Sequence, residues 1–344
     1  MDNQTSCPIT NLSNAFKPLD LTDPYPVMAQ ARREEPVFYS PEIDYWVVTR
    51  FEDIRAVFQD FETFTAENTI TPIEPFSETV LEMLNDGDYT PVPVLSNNVP
   101  PSHTRIRRLV SRLFTPRRMK HFEPEIRELV NGRIDSFINL GKVDIVSAMT
   151  YELPAMVLFR VLGVPDEDVA QVKIWSDNRI LLYYGRPTPE EQIEFTKNLI
   201  PFWKYTVGLV EKKVAQPEDD LISDLIAMRN GDDAILTINE IASCMITLLV
   251  AGHETTTAQM SNTIQHLLED RPKWDALCQN PALIPNANEE LMRFDPSVCT
   301  WRRVARKACT IAGVDIPKDS NLLLMLNSGN RDTAVFPEPD EIVL

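Results

Sequence analysis

One stretch constrains this chain more than any other: TINEIASCMITLLVAGHETTTAQMSNTIQHLLED, residues 237–270, reads as a single helix of more than thirty residues. It opens on Thr237 with Glu240 three residues later, the pairing of a capping box, and closes before Arg271-Pro272. Its middle is apolar on nearly every side. A helix without a polar stripe has no face to give to water, so this one is expected to run through the centre of the molecule. With 344 residues, 43% hydrophobic and 24% charged, the chain has the composition of a globular protein with a packed core.

The flanking patterns agree with a mainly α chain carrying a small β region. Helical spacing recurs over 26–35, 51–60, 102–114, 123–140, 148–162, 166–182, 189–214, 221–229, 272–279 and 281–294. Alternation and β-branched residues predict strands over 36–40 and 45–50, joined across PEID, and further strands in RRVARK, CTIAG and NLLLMLN. Residues 65–101, rich in Pro, Thr and Asn, read as one long irregular connection, the kind that serves as a lid or binding loop. There is no internal repeat, and residues 1–344 are expected to form a single domain.

Acidic residues outnumber basic ones 51 to 33, a net charge of −18 that argues against nucleic-acid binding. Arg105, Arg107, Arg108, Arg112, Arg117, Arg118 and Lys120 are nonetheless close together, either a solvated helix face or a cationic patch. The five cysteines are odd in number, widely spaced and form no CxxC pair, which suggests neither a disulfide framework nor a zinc site and fits a cytoplasmic protein. The N-terminus lacks the order of a signal peptide, and no apolar run approaches the ~20 residues of a membrane span.

At the midpoint of the long helix stands Ala251-Gly252-His253-Glu254-Thr255-Thr256. Glycine in a helix interior costs about 1 kcal/mol relative to alanine, and threonines are poor formers too. Two compensations are open: a ligand lying flat against the helix beside Gly252, or a glycine that relieves a packing clash. In both, threonine hydroxyls can bond back to carbonyls. His253-Glu254 suggests the HExxH zinc hydrolases, but Thr257 stands where the second histidine belongs, so that ligand set fails. Glu290 and Arg293, three apart on a helix, share a face and can pair.

Four blocks together carry a resemblance. SNNVPPSHTRIRRLVSRLFTPRR, AGHETT, EELMRFDP and GNRDTAVFPEPD occur in the order found in bacterial cytochromes P450, and the chain resembles that family of haem-thiolate monooxygenases over most of its length. The resemblance implies the cytochrome P450 fold with its long central helix, and haem (heme b, iron protoporphyrin IX) as cofactor. It implies that His103, Arg107 and Arg303 hold haem propionates, that Ala251 and Gly252 leave room for dioxygen, and that Glu254 and Thr255 deliver protons for O–O cleavage. Glu290 and Arg293 would form a structural ion pair behind the haem. Residues 65–101, the helices around 180–202 and the central helix near Val250 would line a pocket for an apolar small-molecule substrate.

The partners implied are dioxygen and an electron donor, a ferredoxin, a flavodoxin or a fused reductase, with neither nucleic acid nor membrane involved. The family's cysteine loop follows the FPxPD stretch, and the sequence reaches Val343-Leu344 before it, so the metal ligand is unassigned and expected beyond Leu344. On this expectation the complete protein is the monooxygenase and residues 1–344 alone are not competent. The alternative is a non-catalytic helical small-molecule binding protein, or an inactive fragment lacking the thiolate. Glu341 departs from the family, which often has an arginine there joining the ExxR pair.

Overall fold

The computed structural model describes residues 9–18, 20 and 22–344; Cys7 lies outside them. The chain divides into two units, one formed by Met1–Thr69 with Asn262–Leu344 and the other by Ile70–Ser261.

In the first unit, β1 (Val37–Ser40) and β2 (Tyr45–Val48) form the expected antiparallel hairpin. After β3 (Phe64–Thr65), the remaining strands come from the far end of the chain: β4 (Thr300–Ala305), β5 (Cys309–Ile311), β6 (Val314–Ile316) and β7 (Asn321–Met325). The main sheet has the order β1-β2-β7-β4-β3, with β2 and β7 parallel, while β5 and β6 pair separately. The β5–β6 turn places Ala312 and Gly313 at φ 49° and 81°, the doubly left-handed turn that matches strand twist. Period-2 alternation gives the main sheet two apolar faces. Trp46, Val48, Leu322 and Leu324 pack on one, and Val47, Leu323 and Met325 on the other with Leu12, Phe16 and Met28.

The second unit is helical. The long helix is present as Ile238–Glu269, and its last turns, from Asn262 on, belong to the first unit. Its capping box forms as read: Glu240 N donates to Thr237 Oγ1 at 3.0 Å, and Thr237 N to Glu240 Oε2 at 2.8 Å. Ile241, Met245, Leu249 and Val250 enter a core shared with Phe159, Leu199, Phe202, Leu221 and Leu225. The expectation of one irregular connection over 65–101 is corrected, because Glu78–Asp86 is a helix capped by the Ser77 side chain. The reading of 148–162 as one helix is corrected too. A π turn, Val146–Thr150, precedes Leu153–Leu162, whose Pro154 suits a first turn and not a helix interior. Among the described residues no helix is long and apolar enough to cross a membrane.

Candidate active site

Ala251, Gly252, Glu254 and Thr255 stand together on the Ile238–Glu269 helix. Just before them Ile241, Cys244, Met245 and Leu249 are fully buried, yet Ala251, Gly252 and Thr256 are exposed. An apolar helix thus turns an open side outward at the one point where its sequence carries small and hydroxylated residues. Thr255 Oγ1 donates to the Ala251 carbonyl at 2.9 Å and Thr256 Oγ1 to the Gly252 carbonyl at 3.0 Å. Their protons are committed within the helix, so the outward character of both hydroxyls is that of an acceptor. The missing side chain of Gly252 has a neighbour of its own: a Cβ there would lie 2.8 Å from Leu158 Cδ2. Relief of that clash accounts for the glycine without a ligand.

Glu254 is the centre of a polar cluster within the helical unit. Lys173 Nζ lies 2.6 Å from its Oε1, and Lys173 is 3% exposed. His253 is fully buried, with Nδ1 2.7 Å from the Leu249 carbonyl and its ring edge-on to Phe159. His253 Nε2 is 2.8 Å from the same Glu254 oxygen but outside hydrogen-bond directionality, a close polar contact without a directed bond. Asp177 completes the group, accepting from the Tyr151 hydroxyl at 2.7 Å and lying 3.4 Å from Lys173. Burial works to raise the pKa of Glu254, but His253, Asp177 and Lys173 outweigh it and hold the carboxyl well below the usual range. Asp177 is pushed up to about 6, by burial first and then by the Glu254 carboxylate beside it. Asp177, His253 and Glu254 also have the spacing of metal ligands, but the Lys173 ammonium already supplies positive charge at Glu254.

His103 and Arg107 share a face of the helix Ser102–Val110. Burial and then the Arg107 charge lower the His103 pKa, and Arg107 is exposed with no ion-pair partner among the described residues. Two neighbours in the basic run are already paired, Arg105 with Glu240 and Arg118 with Asp224. Arg303 belongs to the other unit, on β4. Its guanidinium lies over the Phe58 ring at 4.8 Å and donates only to the Arg302 carbonyl, with no carboxylate partner among the described residues. Cationic groups without counterions are what an anionic cofactor edge needs.

Glu290 and Arg293 form a two-point pair, Nε to Oε2 at 2.7 Å and Nη2 to Oε1 at 2.8 Å. Arg293 also donates to the carbonyls of Asn330, Pro339 and Glu341, and Val343 N donates to Glu290 Oε1. Glu341 therefore joins the network through its backbone, which needs no arginine side chain.

The family model described as Cytochrome P450 matches residues 178–342. The vitamin D(3) 25-hydroxylase of Pseudonocardia autotrophica is 32% identical over 323 residues, 93% of this chain and 76% of that protein. This chain belongs to the cytochrome P450 family. Among solved P450 structures, cytochrome P450 CREJ in complex with (4-ethylphenyl) dihydrogen phosphate superposes with a TM-score of 0.93 at 37% identity, covering 96% of this chain and 82% of that one. An intact type IV self-sufficient cytochrome P450 monooxygenase reaches 0.94 at 35% identity, covering all of this chain and 45% of that one.

The P450 is a haem-dependent monooxygenase, and its residues suit the cofactor: an open side on an apolar helix, and cations without a carboxylate partner among the described residues at Arg107 and Arg303. Of the described cysteines, Cys244, Cys299 and Cys309 are not poised as thiolates. Burial pushes Cys244 up to about 12, and burial likewise raises Cys299 and Cys309. Sequence reasoning missed Lys173, Asp177 and Tyr151, which meet round Glu254 from far along the chain, Lys173 from 81 residues away, and so leave no local signal. It also missed Arg331, buried between the Tyr25 and Phe294 rings and donating to the Phe294 carbonyl, although the polar Asn-Arg-Asp after an apolar strand offered a hint.

Proposed function

We propose that His103, Arg107 and Arg303 receive the haem propionates, that Ala251 and Gly252 border the dioxygen site, and that Glu254 and Thr255 manage its protons. The observation that carries this assignment is the open side of the central helix at Ala251, Gly252 and Thr256, next to a carboxylate held by a buried lysine. When bound, the haem would supply activation of dioxygen by two electrons and two protons, one oxygen atom entering an apolar organic substrate and the other leaving as water.

The protein's own part is proton management. Thr255, its proton spent on Ala251, accepts a hydrogen bond and so retains a proton on its partner. Glu254 is kept ionised by Lys173 and His253, so it takes a proton from solvent only on leaving Lys173. Asp177, titrating near 6, is the adjoining group that exchanges protons in the neutral range. Glu290 and Arg293 are assigned a structural role, holding the segment from Asn330 to Val343.

The substrate pocket is assigned to residues 65–101, the helices around 180–202 and the central helix near Val250, in one haem domain. The solved relative bound to an aryl phosphate indicates the size of molecule such a pocket takes. Electrons come from a ferredoxin or flavodoxin docking on Arg108, Arg112, Arg117 and Lys120, or from a fused reductase, in a cytoplasmic protein. Those four cations have no ion-pair partner among the described residues, and the likeness to a self-sufficient monooxygenase favours fusion. A reduced carbon monoxide difference spectrum on the full-length protein tests the site: a Soret band at the thiolate position is expected, and protein that purifies and stays without haem would overturn it.

A further inference from the structure

The helical unit buries three cations, Lys173, Arg179 and Lys213. Two are compensated by carboxylates at 2.6 Å, Lys173 by Glu254 and Lys213 by Glu218 and Asp220. Arg179, 6% exposed on the helix Val169–Tyr184, has no carboxylate partner among the described residues. Its surroundings are phenols. The guanidinium sits 5.2 Å from the Tyr183 ring centre, the Tyr89 hydroxyl lies against it, and the two hydroxyls are 3.4 Å apart.

Two buried polar atoms here have no hydrogen-bond partner: Arg179 Nε and, three residues earlier on the same helix face, Ser176 Oγ. Burying an unpaired charge is expensive, and a guanidinium cannot escape by losing its proton. Phenol and serine hydroxyls can all turn their protons toward one acceptor, and burial raises the Tyr183 pKa, keeping that phenol a donor.

We infer that this P450 takes substrates in which an apolar body carries an oxyanion, a carboxylate or a phosphate monoester, and that Arg179 and Ser176 bind that head group. The inference rests on the haem site and pocket proposed above, and adds charge to a substrate otherwise described only as apolar. Arg179 is a specificity residue in it, remote from the reacting carbon, with its planar fork suited to two parallel bonds to an oxyanion.

The test is calorimetric titration of the haem-loaded, full-length protein with 4-ethylphenyl phosphate, 4-ethylbenzoate and 4-ethylphenol, three probes sharing one apolar body. At least one anion is expected to bind about 30-fold or more tightly than the phenol, the scale of a charge-assisted pair, and which anion leads separates phosphate from carboxylate recognition. Arg179→Met should abolish that preference, leave phenol binding within about twofold, and leave the ligand-free melting temperature unchanged or higher, since it removes an uncompensated charge. Ser176→Ala, the gentler variant, should weaken only the anions, by about fivefold.

Phenol binding as tight as both anions, or a preference that survives Arg179→Met, overturns the inference. So does a large drop in melting temperature, which would mark a structural arginine. A normal carbon monoxide band without anion preference sinks this inference alone; anion preference without any haem sinks the haem reading and leaves the anion site.

Discussion

Thr255 and Asp177 mark the two ends of what a single residue tells. Thr255 is conspicuous in the sequence because a β-branched hydroxyl residue weakens an apolar helix, and the structure places its proton on the Ala251 carbonyl. Thr255→Ala should raise hydrogen peroxide release per product by about tenfold with little change in melting temperature, whereas Thr255→Ser should stay near the wild type. A merely structural threonine would leave that ratio where it was. Asp177 had no such signature; burial first, and then the Glu254 carboxylate beside it, give it a titration near 6. Because that lies above the ordinary value of 3.8, the fold benefits from Asp177 when it is protonated, below about pH 4, and loses the benefit as pH rises through about 6. Asp177→Asn should therefore melt on the order of 2–4 °C above the wild type at pH 7–8, with the gap closing toward pH 4. A gap independent of pH would place the effect elsewhere.

At the scale of elements, caps and glycines carry the energetics. Gly163 ends Leu153–Leu162 at φ 85°, and a Cβ there would fall 2.5 Å from Asp220. Asp220 in turn caps Leu221–Arg229 through Ser223 N at 2.8 Å and pairs with buried Lys213. Gly163→Ala should thus strain one helix end and dislodge the cap of the next, costing about 3 kcal/mol by urea denaturation. A loss under about 1 kcal/mol would mean that Asp220 moves freely. Most long helices were legible because each repeats its apolar face locally, and the Thr237 capping box formed as read. Glu78–Asp86 was not, since Ser77 and one short apolar run stand among prolines and threonines that signal a loop.

At the scale of the whole molecule, Arg293 ties its helix to the segment from Asn330 to Glu341, joining Glu290 to three carbonyls up to 48 residues away. Arg293→Lys keeps the charge but not the fork, and should cost about 3–5 kcal/mol, lower haem content and open the segment after Asn330 to limited proteolysis. Unchanged proteolysis would show that the clamp is redundant. Of the residues proposed for the site, His103 with Arg107 and Glu254 with Thr255 were legible as neighbours on their own helices, and Glu290 with Arg293 as a pair. Those pairings follow from 3.6 residues per turn, which acts within a few residues of chain. The ring of groups round Glu254, the phenols round Arg179 and the backbone role of Glu341 depend on where the chain returns, and no local periodicity encodes a return. Sequence pattern was enough for most of the helices and strands, the Thr237 cap and the family, because helix and strand geometry repeats over short spans. Which buried charge finds a counterion and which is left for something else to meet was settled by packing, because a counterion is a matter of distance in space.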